Sequence, residues 1–240
     1  MKIGLSIPLP AYTIDPAFMG RRAEELGFTS IWYAEHPAVP VESSSPCPAT
    51  GGDIPWTYSH FTEPDIALAR ASGVTSKIRL GTGITLVPQR HPMILAKEVA
   101  ALDFHSGGRF IFGIGTGWLR EEVEMFGADF PRRWTQTREA LDAMKAVWSN
   151  DIGEFHGKYY DIPPVRVFPK PAQKPYPPIV IGGAAKRVME RIIQHADGWL
   201  PNRVTPEDLK DHRAELDHLA TEAGRDPKTI KIHVYGQEPD

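Results

Sequence analysis

Residues 78–92 read IRLGTGITLVPQRHP and residues 109–118 read RFIFGIGTGW. Each is an apolar run that ends in glycines and is followed by a helical pattern. The glycines therefore stand where a parallel strand hands over to its helix. In α/β folds that edge gathers ligands, because loops converge there and helix N-termini present unpaired N–H groups. Glycine at such a point lets the backbone approach a ligand or take conformations closed to a Cβ. GTG and GIGTG also serve as plain tight turns, and short glycine motifs do not separate the two readings.

The same rhythm runs through the chain. Strands are predicted over residues 2–8, 30–36, 78–87, 109–114, 178–182, 198–201 and 231–235. Asp15 and Pro16 form an N-cap and first-residue pair, with Gly27 closing that helix. Pro92 opens a helix over residues 93–104 with Leu95, Val99 and Leu102 on one face. Trp134, Leu141, Met144 and Trp148 recur at helical spacing. Thr205 and Pro206 open a later helix that Gly224 ends.

Strands alternating with helices imply parallel pairing through right-handed crossovers. An open doubly wound sheet and a closed (β/α)8 TIM barrel both fit. The first unit, LSIPLPAYTIDPAF, lacks the GxGxxG of a dinucleotide-binding Rossmann unit, which favours the barrel. Seven strands are found, so the barrel is expected to lack its last strand and helix within these 240 residues. An unpaired edge between the first and seventh strands should follow.

Two segments interrupt the rhythm, and the chain reads as one domain over residues 1–240 with insertions at 37–61 and 150–177. In the second, EFHGKYYDI suggests a small hairpin. The first leaves the C-terminal end of a strand and should lie over the active face. Trp56 and Tyr58 within it are candidate substrate-wall residues, or anchors of their own loop.

The formal net charge of −3 gives no reason to expect nucleic-acid binding, and 41% hydrophobic with 24% charged residues is ordinary globular usage. Cys47 is the only cysteine, so no internal disulfide forms. It lies in SSSPCPATGG, a flexible-looking loop without an adjacent base, and no catalytic role is expected of it. No apolar run approaches the ~20 residues that span a membrane. MKIGLSIP runs straight into a strand without a signal-peptide core, so a cytoplasmic location is the default expectation.

Chemistry is concentrated at three places. In PPIVIGGAAKR a strand ends in Gly182 and Gly183, and a helix is predicted to begin near Ala184. Successive small residues there let N–H groups face an anion, with the helix dipole and Arg187 adding positive potential. A tight turn is the alternative. Gly115 and Gly117 would complete the cradle, with Trp118 and Glu121 just inside the next helix. Glu35 and His36 stand at a strand's C-terminal rim before Pro37, where an imidazole can pass a proton near neutral pH. A hydrogen-bonded structural histidine is the competing reading. Thr85 either bonds a ligand or packs, and Arg90 faces substrate or solvent. Neither HExxH nor GxSxG occurs, which leaves little support for a zinc or serine hydrolase.

SIWYAEH, IRLGTGITLVPQRHP, GGRFIFGIGTGWLREEVEMFG, FHGKYY with PKP, and PPIVIGGAAKR occur in an order that resembles the luciferase-like monooxygenases. The likeness is strongest to the coenzyme F420-dependent oxidoreductases of that superfamily. It implies a TIM barrel with an isoalloxazine-like ring at the C-terminal ends of the strands. The ring would be backed by a non-prolyl cis peptide at Gly83–Ile84, with Thr85 beside it. It implies cofactor contacts at Gly115, Gly117, Trp118, Gly182, Gly183, Ala184, Ala185 and Arg187, and a catalytic pair in Glu35 and His36, the acid near the ring. Some relatives carry a polar amide where Glu121 stands, so a cofactor contact by Glu121 is not expected. The implied activity is hydride transfer between F420 and a small organic substrate, in a homodimer. The alternatives are a reduced-FMN monooxygenase and, from another class, a flavin-binding protein without turnover.

Overall fold

Strand order follows chain order around one curled parallel sheet in the structure, a computed structural model that describes residues 2–235. The strands are β1 (Gly4–Ile7), β2 (Ser30–Tyr33), β3 (Arg79–Thr82), β4 (Thr85–Leu86) and β5 (Phe110–Gly115), then β6 (Gly153–His156), β7 (Asp161–Val165), β8 (Ile179–Gly182), β9 (Gly198–Leu200) and β10 (Lys231–Ile232). The sheet runs β1-β2-β3-β5-β8-β9-β10, with β4 paired to β5. Among the described residues β1 and β10 do not pair, so the TIM-barrel-type sheet stays open at that seam, as the strand count predicts. β6 and β7 form the expected antiparallel hairpin, in a sheet of their own.

Helices α1 (Pro16–Glu25), α2 (Pro64–Ser72), α3 (Pro92–His105), α4 (Arg120–Met125), α5 (Arg133–Ser149), α6 (Val188–His195) and α7 (Pro206–Glu222) connect the strands. Local chemistry places several starts. Asp15 accepts the Ala17 N–H at 2.8 Å, and Thr205 makes a reciprocal capping box with Asp208. Proline opens α1, α2, α3 and α7, where its missing N–H costs nothing.

The continuous apolar run of β5 is buried on both faces, as a central parallel strand should be. Phe110 and Phe112 join Ile31, Leu80, Leu95, Leu141 and Trp148 between sheet and helices. Ile111 joins Trp32, Val180 and Leu200 in a second cluster, against which Ile84 and Tyr235 pack. Side chains of this size contribute about 1.5–3 kcal/mol each when fully buried.

Four boundaries differ from the sequence expectation. The strand predicted over residues 78–87 is divided into β3 and β4 by a cis Gly83–Ile84 peptide. The helix expected near Ala184 begins at Val188, because Gly183 takes φ +90° and residues 184–187 run on as loop. Trp118 lies before α4, not inside it. The strand predicted to Tyr235 is regular only over β10, with Tyr235 bridging Asn202.

Candidate functional site

β2 ends at Tyr33, and the chain continues into Glu35 and His36 at the sheet's C-terminal edge. The His36 side chain is 8% exposed, and its Nδ1 lies 3.0 Å from Oε2 of Glu122 in α4. A carboxylate accepts, so Nδ1 carries a proton towards Glu122, and in the neutral ring the lone pair is on Nε2. Tyr58 stacks on the imidazole at 5.0 Å between centroids, and Trp118 meets it edge-on at 5.7 Å. Phe61 completes the aromatic wall. Glu122 is fully buried, and Gln89 Nε2 reaches its Oε2 at 3.4 Å.

Sequence reasoning missed Glu122, although the residue was visible in the GTGWLREE run. It is one of two adjacent glutamates, and only the fold separates them. Glu121 instead binds the long loop, accepting from the Ser44 N–H at 2.7 Å and the Ser45 hydroxyl at 2.7 Å. These bonds hold its pKa down at about 2.

Glu35 is turned elsewhere. Its Oε2 accepts the Leu86 N–H at 2.5 Å, and its Oε1 is ion-paired with Arg90. Burial pushes its carboxyl above the ordinary range, against the pull of Arg90. Arg90, its side chain 19% exposed, lines the groove between α2 and α3 and turns to carboxylates. It also bonds Glu63 at 2.9 Å.

Ile84 is half-buried at the C-terminal end of the sheet, and its side chain occupies a notch formed by two of the predicted cofactor glycines. A Cβ on Gly115 would lie 1.9 Å from Ile84 Cδ1, and one on Gly182 would lie 2.8 Å from Cγ2. Those glycines make room for Ile84, whatever else they contact. Gly183 differs: a Cβ there would meet nothing within 4 Å. Its N–H is already bonded to Leu200 O at 3.2 Å. No backbone bond uses the N–H groups of Ala184, Ala185 or Lys186 among the described residues, so these are the free donors.

Beside them a small cavity is lined by Gly115, Thr116, Thr137, Ala185 and Arg191. Arg191 lies over the Trp134 ring at 4.4 Å, and Arg187 stands one turn before it. Burial lowers the Arg191 pKa, with the charge of Arg187 adding to it and that of Glu190 opposing it. Free N–H groups and the Arg191 guanidinium about one small cavity suit a phosphate, with Arg187 exposed nearby at 3.9 Å from Glu190, so the chain's own residues fit a phosphate-bearing flavin or deazaflavin.

Other expected positions divide. Tyr58 belongs to the His36 wall, whereas Trp56 is 64% exposed, its ring meeting that of His60 edge-on. Gly117 takes φ +80° in the turn before α4, and its carbonyl accepts from Arg133 at 2.9 Å. Thr85 is wholly buried, its hydroxyl without a hydrogen-bond partner among the described residues. The loop around Cys47 is ordered by backbone bonds between residues 47 and 52, and the thiol is buried rather than loosely held.

A family profile described as luciferase-like monooxygenase matches residues 17–237. An uncharacterized protein of Mycobacterium tuberculosis is 35% identical over 241 residues, covering 98% of this chain and 84% of that protein. The coenzyme F420-dependent tetrahydromethanopterin reductase of Methanopyrus kandleri superposes with a TM-score of 0.76 at 25% identity, over 98% of this chain and 65% of that one. The FMN complex of the oxygenating constituent of 3,6-diketocamphane monooxygenase from Pseudomonas putida superposes with a TM-score of 0.75 at 20% identity, over 97% and 66% respectively.

Proposed function

The chain belongs to the luciferase-like monooxygenase family, and on that footing we propose that it transfers a hydride between coenzyme F420 and a small organic substrate. The observation that carries this reading is the His36–Glu122 pair, walled by Tyr58 and Trp118. The likeness to the F420-dependent reductase supports the choice of ring.

When bound, the cofactor supplies the two-electron chemistry. The chain's residues do the rest. Ile84 backs the ring, and Ala184, Ala185 and Lys186 offer N–H groups to the phosphate with Arg187 and Arg191. His36 Nε2 takes or returns the substrate proton, while Glu122 fixes the tautomer and stabilises the imidazolium. Tyr58, Phe61 and Trp118 keep water from the imidazole. General acid–base groups of this kind contribute about 10²–10⁴-fold.

A reduced-FMN monooxygenase is the second reading, favoured by the fold shared with an FMN-bound monooxygenase. A flavin carrier without turnover is the third. Titrating the apo-protein with F420 and with FMN, followed by fluorescence quenching, separates the rings; at least tenfold tighter F420 binding is expected. FMN preference would overturn the first reading. F420 binding with no reduction of any carbonyl or imine acceptor would favour the carrier.

We also propose that residues 1–240 act as one domain within a homodimer. A groove of about 630 Å³ between α2 and α3, with Ile66 exposed beside it, offers a face for a second copy. No helix among the described residues is long and apolar enough to cross a membrane.

A further inference from the structure

β2 and β3 stay paired up to Tyr33 and Thr82, and Gly83 N–H donates to Tyr33 O at 2.7 Å. Beyond that point β4 pairs only with β5, through Thr85 with Ile114 and Leu86 with Gly115. On its other side β2 has ended, so β4 faces a gap where a strand would normally accept its N–H groups. A buried backbone donor left there without a partner would be costly. The Glu35 carboxylate fills the place of the missing carbonyl, taking the Leu86 N–H at 2.5 Å. Arg90 holds the other carboxyl oxygen and is itself held by Glu63, with Glu98 4.0 Å away.

The arrangement also closes on His36. The short turn after β4 carries Gln89, whose amide reaches Glu122 Oε2, and Glu122 holds His36, the neighbour of Glu35. Displacement of β4 therefore moves both Ile84 and the partner of the imidazole.

We propose that Glu35 is a positioning residue that acts as a strand surrogate: clamped by Arg90, it holds β4 through the Leu86 N–H and so sets Ile84 and His36 together. It carries no substrate proton. In its consequence for cofactor binding this rests on the function proposed above; in its consequence for the backbone it does not.

The apo-protein therefore gives the first readout, amide hydrogen exchange by mass spectrometry of the segment 84–90. Glu35→Gln keeps an acceptor oxygen, and exchange should stay within about threefold of wild type. In Glu35→Ala the segment should exchange about tenfold faster or more, the loss of one buried hydrogen bond. Residues 109–115 should be unchanged in both. Arg90→Met, which leaves Glu35 in place, should speed exchange of 84–90 to an intermediate degree and keeps the test open if Glu35→Ala does not fold. His36 ring resonances should move in Glu35→Ala and stay in Glu35→Gln.

Unchanged protection of 84–90 in Glu35→Ala would overturn the proposal. So would equal loosening in Glu35→Gln, or slowed exchange in Arg90→Met. The second readout is quenching of F420 and FMN, which should weaken in Glu35→Ala and be rescued in Glu35→Gln. If wild type binds neither ring, the proposed function fails while the exchange result still decides the role of Glu35.

Discussion

His36 Nδ1 lies 3.0 Å from Glu122 Oε2, with the glutamate wholly buried in α4. The pair dictates which ring nitrogen is free, and that choice decides whether His36 can act as a base. His36→Ala should bind cofactor almost normally and lose about 10²–10⁴-fold in kcat. Glu122→Gln, which keeps the shape but not the charge, should lower kcat less and leave the cofactor Kd unchanged. Steady-state kinetics beside a binding titration checks both. Full kcat in His36→Ala would return the residue to a structural role.

Gly115 receives Ile84 Cδ1 at a distance that no added Cβ tolerates. Gly115→Ala should therefore displace Ile84, cost about 1–3 kcal/mol as an overpacked core does, and weaken cofactor binding. Shortening the intruding side chain with Ile84→Val should recover part of both losses in the double variant. Urea unfolding of the four proteins tests this, and simple additivity would contradict the notch.

Gly183 has φ +90°, a conformation that side chains rarely adopt, and open space above it. Gly183→Val should strain the turn by about 1–3 kcal/mol and redirect the free N–H groups that follow. Cofactor affinity should fall, and wild-type affinity should fall as salt rises, because the anchor is a phosphate among N–H groups and guanidiniums. Unchanged affinity in a folded Gly183→Val protein would place the phosphate elsewhere.

Asp65 is half-buried, and its two carboxyl oxygens are buried without a hydrogen-bond partner among the described residues. Burial, reinforced by the charges of Glu63 and Glu35, raises its pKa from 3.8 to about 8. The folded protein thus holds this proton more tightly than the unfolded chain. The resulting stability is complete below pH 3.8 and is lost progressively as pH rises towards about 8. Asp65→Asn removes that dependence, so its Tm advantage over wild type should grow between pH 5 and pH 8. Parallel Tm curves would refute the assignment.

Glu121 ties the loop at Ser44 and Ser45 to α4, and its pKa is lowered to about 2 from 4.5. The latch is therefore complete above pH 4.5 and weakens as pH falls towards 2. Glu121→Ala should make residues 37–61 more sensitive to limited proteolysis at neutral pH, with little change in Tm. A loop equally resistant in the variant would show that other contacts hold it.

Much of this protein was legible in its sequence because the signals are local. Asp15, Thr205 and the prolines at helix starts act within a turn, and apolar runs declare buried parallel strands wherever they fall. Those features determined the order of elements, the open barrel and the placing of Glu35, His36, Ile84 and Gly183 at one edge. What the tertiary structure alone decided is where adjacent side chains go. Glu35 turns to Leu86, 51 residues away, while His36 turns to Glu122, 86 residues away. Glu121 and Glu122 separate in the same manner, one to the loop and one to the imidazole. Trp56 and Tyr58, two residues apart, divide between solvent and the site wall. No periodicity encodes such choices, because each depends on which donor or ring a distant segment presents once the sheet has curled.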